Sequence, residues 1–473
     1  MKRSSLTRAA VVLSGTLILA GCKTFSPDGG MSLTSSFAGE KLGKDAVAIR
    51  SADDATAAQA RVQQLIKRPL SADAAVQIAL LNNRGLQAAY NELGIAETAM
   101  VAESLPPNPR LSISRLSGAE LEIERRIVAD ILELATLPAR AAIAQDRFRQ
   151  AQLRAAGETA RVAAETRRAF YRAVASQQLA SRLGGAQTAA ANAAKLATRL
   201  GQSGALNKLD QAREQVFYAE ITAQRATALQ QATGEREKLV RAMGLWGGDL
   251  AFKLPAALPA LPRRAHALRT VERDALAQRI DVQIARIEVE TLAKSYGLSQ
   301  ATRFINVLEL GGIDKTMRPA EGPSERSRGV EIELQIPLFD FGEIRMRQAE
   351  QTYMAAVNRL AEKAVNVRSQ ARDAYRNYRA TYDIASHYQR EVLPLRKIIS
   401  DEMTLRYGAM QIDVFALLTE QRQRVAASVA DLEAQRNFWL ASTELSAAII
   451  GGGGAGSETG TTIAMSGGEA PAH

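Results

Sequence analysis

Two short segments of this sequence alternate carboxylates with branched apolar residues. Residues 121–124 read Leu-Glu-Ile-Glu, and residues 330–333 read Val-Glu-Ile-Glu. Successive side chains along a β-strand point to opposite faces, so the carboxylates share one face and the apolar groups share the other. Clustered carboxylates favour small cations, and the alternative is a polar surface without ion selectivity. The charged side chains of this face are Glu122, Glu124, Arg126, Glu331 and Glu333.

Cys22 is the only cysteine of the 473 residues, and its surroundings predict covalent lipid attachment. A basic start with Lys2 and Arg3 is followed by an apolar stretch over residues 9–19, which is typical of a secretory signal. The residues before Cys22 resemble a bacterial lipobox, in which cleavage exposes the cysteine sulfur for acylation with fatty acids such as palmitate. The alternative is an ordinary signal peptide that ends near a cysteine. Because Lys23 stands where an aspartate would retain a lipoprotein in the inner membrane, we expect an anchor in the outer membrane.

The other chemistry-bearing residues of the sequence are not arranged as an enzyme, cofactor or metal site. The three histidines (His266, His387 and His473) lie far apart, and the ten methionines are not clustered. Neither a phosphate-binding glycine loop nor a nucleophile elbow occurs. The net charge of +10 is spread along the chain without a basic run that includes aromatic residues. We therefore expect a protein that is not an enzyme, needs no cofactor or metal and binds no nucleic acid.

An internal duplication places these residues in two equivalent halves, with landmarks in the same order at offsets of 196 to 209 residues. The matching pairs are Ala79 and Ala275, Leu121 and Val330, Arg199 and Arg406, Arg213 and Arg422, and Gly244 and Gly451. Such a repeat sets the architecture before any single motif does. The predicted segments are a signal peptide at 1–21, a lipid-anchored segment at 22–69, a first repeat at 70–250, a Pro-rich linker at 251–264, a second repeat at 265–450 and a Gly-rich disordered tail at 451–473.

Each repeat is predicted to run as a helix, a strand pair, a very long helix, a turn and a final helix. A heptad stripe of apolar residues from Tyr353 to Tyr388 predicts a coiled-coil helix from Gly342 to Arg406, kinked at Pro394. Three tyrosines on this helix are predicted to pack against other helices, with a ligand platform as the alternative. They are Tyr375, Tyr378 and Tyr382.

In the first repeat the long helix is predicted from Pro138 to about Leu200, because proline suits the first turn of a helix. The strand pair of the second repeat is predicted to be joined by a long loop that holds Gly311 and Gly312. The four predicted strands are 109–116, 121–127, 303–310 and 330–336. Four strands cannot close a barrel, so we expect oligomerisation to cover the sheet edges.

Four features together resemble the TolC family of bacterial outer-membrane efflux channels, in its lipoprotein branch. One is the duplication, and the other three are sequence motifs. The motifs are Ala79-Leu80-Leu81-Asn82-Asn83, Pro337-Leu338-Phe339-Asp340-Phe341-Gly342, and Arg406-Tyr407 followed by Val414-Phe415-Ala416-Leu417-Leu418 and Gln421-Arg422. The resemblance implies a mainly α fold with a small β part. In it, duplicated long helices form a coiled-coil barrel, and two β-hairpins per chain complete a 12-stranded trimeric β-barrel.

The resemblance further implies the outer-membrane channel of a tripartite efflux system, which exports solutes passively. It implies a homotrimer that works with a periplasmic adaptor (membrane fusion protein) and an inner-membrane pump, with the barrel in outer-membrane lipid and the helices in the periplasm. Selection of the exported substrate would then be made by the pump. The alternative function is a lipid-anchored periplasmic coiled-coil scaffold without channel activity.

Two sets of site residues follow from this resemblance. The charged strand residues named above would line the pore lumen, and the turns between the long helices would close the tunnel and contact the adaptor. The predicted turn residues are Arg199, Gly204, Lys208, Asp210, Arg406, Tyr407 and Asp413. The sequence departs from the family at Met410, where a glycine is usual.

Overall fold

The computed structural model describes residues 25–118, 120–267, 270–319 and 321–452. Cys22, with the predicted signal peptide and most of the predicted tail, lies outside these residues. The described chain consists mainly of long helices and carries one antiparallel sheet with the strand order β1-β2-β3-β4. This confirms the predicted mainly α fold with a small β part. In the described ranges, no helix combines the length and the apolar character needed to cross a membrane.

The segment before the first repeat forms two helices, of which the first packs on the long helix of that repeat and the second on the helix that opens the repeat. Helix α1 (Ser32–Phe37) continues into a π-helical turn at Ala38–Leu42, and helix α2 spans Ala52–Ile66. The Ser51 side chain accepts a hydrogen bond from the Asp54 backbone N–H, and the Asp54 carboxylate accepts one from the Ser51 N–H. This capping box fixes the start of α2.

Two sets of elements then follow in the same order, as the duplication predicts. The first set is α3 (Ala72–Asn82), α4 (Arg84–Glu103), β1 (Arg110–Ser117), β2 (Glu120–Asp130), α5 (Ile131–Gln202) and α6 (Lys208–Met243). The second set is α7 (Val271–Gln278), α8 (Ile280–Ala301), β3 (Val307–Pro319), β4 (Glu325–Gln335), α9 (Glu343–His387), α10 (Leu393–Gly408) and α11 (Val414–Ile450). Each hairpin lies between a shorter and a much longer helix.

Helix α5 begins earlier than the sequence predicts. It starts at Ile131 because Asp130 caps it, accepting a hydrogen bond from the Glu133 backbone N–H at 2.7 Å. Pro138 therefore lies inside the helix, where it removes one backbone hydrogen bond, and its predicted place at the helix start was wrong. With 72 residues at 1.5 Å each, α5 is about 110 Å long and carries the chain far from the sheet.

The strands of the second hairpin extend further toward their turn than predicted, and β3 begins at Val307 and not at residue 303. Gly311 and Gly312, expected in a loop, lie inside β3 and pair with Val128 and Ile127 of β2 on one side and with β4 on the other. Glycine disfavours an isolated strand, but pairing on both sides overrides that preference here. Only residues 320–324 separate β3 from β4.

The expected disruption near Pro394 takes the form of a π-helical turn. Helix α9 ends at His387, the turn spans Tyr388–Val392, and α10 begins with Pro394 in its first turn. A proline cannot donate a backbone hydrogen bond and clashes with the carbonyl four residues earlier, so the α-helical pattern is interrupted just before it.

Helix α11 joins the cores of the two repeats. Leu432 of α11 belongs to the same buried cluster as Phe170 of α5, while Phe438 belongs to the core formed with α9. The rings of Tyr378 and Tyr382 lie 5.5 and 5.7 Å from the Phe438 ring, which confirms their packing role. The two repeats are therefore one packed body along α11.

Candidate functional site

The sequence predicts that five charged residues share one face of the strands, and the register of the sheet places all five on the same face. Glu124 lies opposite Lys315, and Glu331 lies opposite Gly311, which itself lies opposite Val128. We call this the acidic face. Its charged side chains are Arg110, Glu120, Glu122, Glu124, Arg126, Asp130, Glu309, Lys315, Glu325, Glu331 and Glu333. Eight carboxylates thus share the face with three basic groups.

Basic residues neutralise part of the acidic face. Arg126 lies 3.2 Å from the Glu124 carboxylate and 3.3 Å from the Glu331 carboxylate, so it bridges β2 and β4. Lys315 Nζ lies 2.5 Å from Glu122 Oε1. Since these groups are partly exposed, each pair contributes little to stability, but together they fix the positions of the carboxylates.

A row of three carboxylates crosses the sheet at its helix-proximal end. Asp130, Glu309 and Glu333 lie directly opposite one another on β2, β3 and β4, and Arg110 forms an ion pair with Glu309. Like charges in register repel, so the row attracts cations. Sequence reasoning missed Asp130 because it ended β2 at Ile127, although the alternation continues to Asp130.

The opposite face of the sheet carries exposed apolar side chains, and we call it the apolar face. Leu111, Val330 and Ile332 are 68%, 77% and 69% exposed. The other exposed apolar side chains of this face are Ile113, Ile127, Leu310 and Leu334. A contiguous exposed apolar surface marks contact with a membrane or another protein.

The turns between the long helices have the same backbone form in both repeats. Gly204 and Met410 occupy the left-handed region, with φ of +77° and +59°. The N–H of the next residue donates to the carbonyl of Leu200 in one turn and of Arg406 in the other, at 2.8 and 2.9 Å. The two turns therefore correspond at an offset of 206 residues, and Met410 adopts a conformation that suits glycine.

The predicted turn residues divide into helix caps and exposed side chains. Asp413 caps α11 by accepting from the Ala416 backbone N–H at 2.7 Å. In the first repeat Asn207 has this role, accepting from the Asp210 N–H, and Arg213 lies 3.0 Å from the Asp210 carboxylate. Capping is a role for Asp413 that sequence reasoning missed, although an aspartate before an apolar helix start signals it.

The remaining predicted turn residues lie beside these caps. Arg406 bonds to Glu402 one turn earlier, at 2.8 Å, while Tyr407 is 37% exposed in the last turn of α10. Arg199 lies in the last turn of α5, and Lys208 begins α6. All seven predicted residues thus lie within two turns and their adjoining helix ends.

A buried ion pair links the two repeats just beyond these turns. Glu214 of α6 is 2% exposed, and its Oε1 accepts from Arg422 Nη2 of α11 at 2.5 Å. The Arg422 guanidinium also lies over the Phe217 ring, 4.6 Å from its centroid. Burial raises the pKa of Glu214, and the charge of Arg422 opposes that shift. Sequence reasoning matched Arg422 to Arg213 as a repeat landmark but missed Glu214.

Helix α11 itself carries two buried carboxylates, and each of them pairs with an arginine of a neighbouring helix. Glu420 accepts from Arg396 of α10 at 3.1 Å, and Asp431 lies 3.3 Å from Arg182 of α5. Charged groups thus hold α11 to three neighbouring helices. Breaking one such pair leaves an uncompensated buried charge, so the pairs favour a single arrangement of the helices. Over the described part of the chain, no group of His, Cys, Asp and Glu could hold a metal ion.

Comparison with known proteins agrees with this geometry. Residues 271–445 match the model of the outer membrane efflux protein family. The comparison with curated proteins gave no match.

Solved structures resemble the chain over most of its length. The outer membrane channel CmeC of Campylobacter jejuni has a TM-score of 0.68 at 15% identity, over 80% of this chain and 86% of that one. VceC of Vibrio cholerae has a TM-score of 0.65 at 15% sequence identity, over 85% of this chain and 100% of that one. The open state of the Neisseria gonorrhoeae MtrE outer membrane channel has a TM-score of 0.64 at 17% sequence identity, over 83% of this chain and 89% of that one. At these identities the structures establish the fold, which is that of TolC-type channels.

The family model and the fold agree with the resemblance found in the sequence. Members of the family are outer-membrane channels of tripartite efflux systems and not enzymes. Residues 271–445, which make up most of the second repeat, thus match the outer membrane efflux protein family, and the fold of the chain is that of outer-membrane channels such as CmeC and VceC.

Proposed function

We propose that this chain forms a homotrimeric channel that exports solutes passively across the outer membrane. The observation that carries the proposal is the sheet, in which an exposed apolar face lies opposite an acidic face. Its outer strands β1 and β4 have one unpaired edge each. Three such sheets joined edge to edge would give a closed barrel of 12 strands, with the apolar face toward lipid and the acidic face toward water.

The helices would then lie in the periplasm and form the tunnel. Helix α5 separates the sheet from the first turn by about 110 Å, so the turns lie far from the membrane. We place the contact with a periplasmic adaptor and an inner-membrane pump at these turns. Acylation of Cys22 would add an anchor in the outer membrane beside the barrel.

The alternative function is that of a lipid-anchored coiled-coil scaffold. It accounts for the long helices but not for an exposed apolar sheet face that includes Val330 and Ile332. A water-soluble scaffold would gain by making that face polar. The channel is therefore the better-supported function.

Membrane extraction of a Cys22→Ala variant with an ordinary signal peptide tests the proposal. We expect the unlipidated protein to need detergent for release and to run as a trimer. The matched control is the same variant with Val330→Glu, Ile332→Glu and Leu334→Glu, which we expect to lose membrane insertion. A Cys22→Ala protein that is freely soluble and monomeric would contradict the channel and favour the scaffold.

A further inference from the structure

Arginines replace the apolar residues where the apolar face approaches the hairpin turns. On β4, Val330 is followed toward the turn by Arg328 and then Arg326, all on the same face. Arg328 lies opposite Asp314, which lies opposite Arg125. We call the following residues the arginine cluster: Arg115, Arg125, Arg318, Arg326 and Arg328.

Three of the five arginines of the cluster pair with a single carboxylate. Asp314 lies 2.5 Å from Arg326, 3.2 Å from Arg328 and 3.5 Å from Arg125. Of the acidic residues on these strands, it alone shares the face with the cluster. Five guanidinium groups and one carboxylate leave an excess of four positive charges at this end of the apolar face. Such an excess of positive charge creates a local potential that attracts anions.

The two unpaired edges of the sheet carry much of this charge. Arg115 lies on β1, and Arg326 and Arg328 lie on β4. In the proposed ring, β4 of one protomer lies beside β1 of the next, so these arginines meet at each seam between protomers. Like charges at a seam repel unless an anion lies between them.

The surroundings of the cluster indicate an amphiphilic anion. Ile113 lies opposite Arg125, and Ile123 lies opposite Arg115, so apolar and guanidinium groups alternate on this face. Ile113 is 66% exposed. A guanidinium binds phosphate oxygens through two parallel hydrogen bonds, and the neighbouring isoleucines offer contact to hydrocarbon.

We propose that the arginine cluster binds the phosphate groups of lipid head groups in the outer leaflet of the membrane. This rests on the proposed function, which turns the apolar face toward lipid. The cluster lies at the hairpin end of the sheet, opposite the helices, and therefore at the level of the outer head groups. At that level arginine is at the interface, whereas deeper in the bilayer its charge would be costly.

Lipid binding to the purified trimer in neutral detergent, followed by native mass spectrometry, tests the proposal. The probes are dipalmitoyl phosphatidic acid and the matched dipalmitoyl glycerol, which differ only in the phosphate. We expect the wild type to retain the phosphorylated lipid, and the Arg326→Gln/Arg328→Gln variant to retain at least about tenfold less. Arg372→Gln/Arg379→Gln on α9 removes the same charge elsewhere and is expected to bind as the wild type does. Should the double variant not fold, Arg115→Gln on β1 serves in its place.

Equal retention of the two lipids by the wild type, or unchanged retention by the cluster variants, would overturn the proposal. Inorganic phosphate serves as the competitor. If millimolar phosphate displaces the lipid completely, the cluster is a free-phosphate site and the lipid assignment is wrong. Oligomeric state is recorded in the same spectra, so a monomeric wild type counts against the proposed function, whereas a trimer without phosphate preference counts against this inference alone.

Discussion

Arg422 of the second repeat donates a 2.5 Å hydrogen bond to Glu214 of the first, and the receiving carboxylate is almost completely buried. The residues are 208 positions apart, yet the pair lies near both turns because the duplication folds the two halves side by side. In the proposed channel, α6 and α11 could separate to widen the tunnel at this level only if this ion pair broke. We therefore regard the pair as a lock between the repeats.

Arg422→Met is expected to destabilise the protein by about 3–5 kcal/mol, because Glu214 would remain buried without its partner. The double variant Glu214→Gln/Arg422→Met is expected to recover most of this loss. Chemical denaturation in detergent measures both, with Arg379→Met on the exposed face of α9 as the control, expected to cost less than about 1 kcal/mol. If Arg422→Met and Arg379→Met lower the free energy of unfolding by the same amount, the Glu214–Arg422 pair does not act as a lock.

The raised pKa of Glu214 predicts a pH dependence of stability with a defined sign. The stability that protonation of Glu214 contributes to the folded state is fully present below the unfolded-state pKa of about 4.5. It is lost as the pH rises through the higher pKa of the folded state. The difference in stability between Glu214→Gln and the wild type should therefore be more favourable to the variant at neutral pH than at pH 4. The Tm of both proteins across this range gives the difference, and Glu350→Gln controls for the loss of one exposed charge. Parallel curves for wild type and Glu214→Gln would show that burial does not disfavour the ionised carboxylate.

Met410 pays a backbone strain that Gly204 avoids. A side chain in the left-handed region costs about 1 kcal/mol or more, and a β-branched side chain is tolerated there least, so Met410→Val should destabilise the turn. Met410→Gly should be neutral or stabilising by up to about 1 kcal/mol, since the relief is partly offset by the entropy of glycine in the unfolded chain. Thermal unfolding compares them, and a Met410→Gly loss as large as that of Met410→Val would contradict this reading of the turn.

The cap at Asp413 can be separated from its charge. Asp413→Asn keeps an acceptor for the Ala416 N–H, whereas Asp413→Ala removes it and should cost about 1 kcal/mol. If Asp413 also joins ion pairs between protomers that close the tunnel, Asp413→Asn will raise dye or antibiotic leakage without loss of stability. If capping is its whole role, leakage will follow stability and appear only in Asp413→Ala.

The sequence predicts this fold where its signals are local. Alternation around Ile123 and Ile332 predicts β2 and β4, and the heptad stripe predicts α9. Gly311 and Gly312 mislead because a local preference for loops yields to strand pairing with β2 and β4, which only the folded sheet supplies. The buried ion pair of Glu214 could not be predicted for the same reason, because its partner lies 208 residues away in the sequence. The cap at Asp413, by contrast, follows a local rule and could have been predicted.

In the proposed channel, the acidic face lines a water-filled pore and the apolar face contacts lipid. The reversal potential of the reconstituted trimer in a KCl gradient tests it most directly, with Glu214→Gln/Arg422→Met included as the form with the lock removed. We predict a current with a reversal potential toward that of potassium, moved toward zero by changing Glu122, Glu124, Glu331 and Glu333 to Gln. A trimer that carries no current in either form, or a reversal potential that these four changes leave unmoved, would contradict a pore lined by the acidic face.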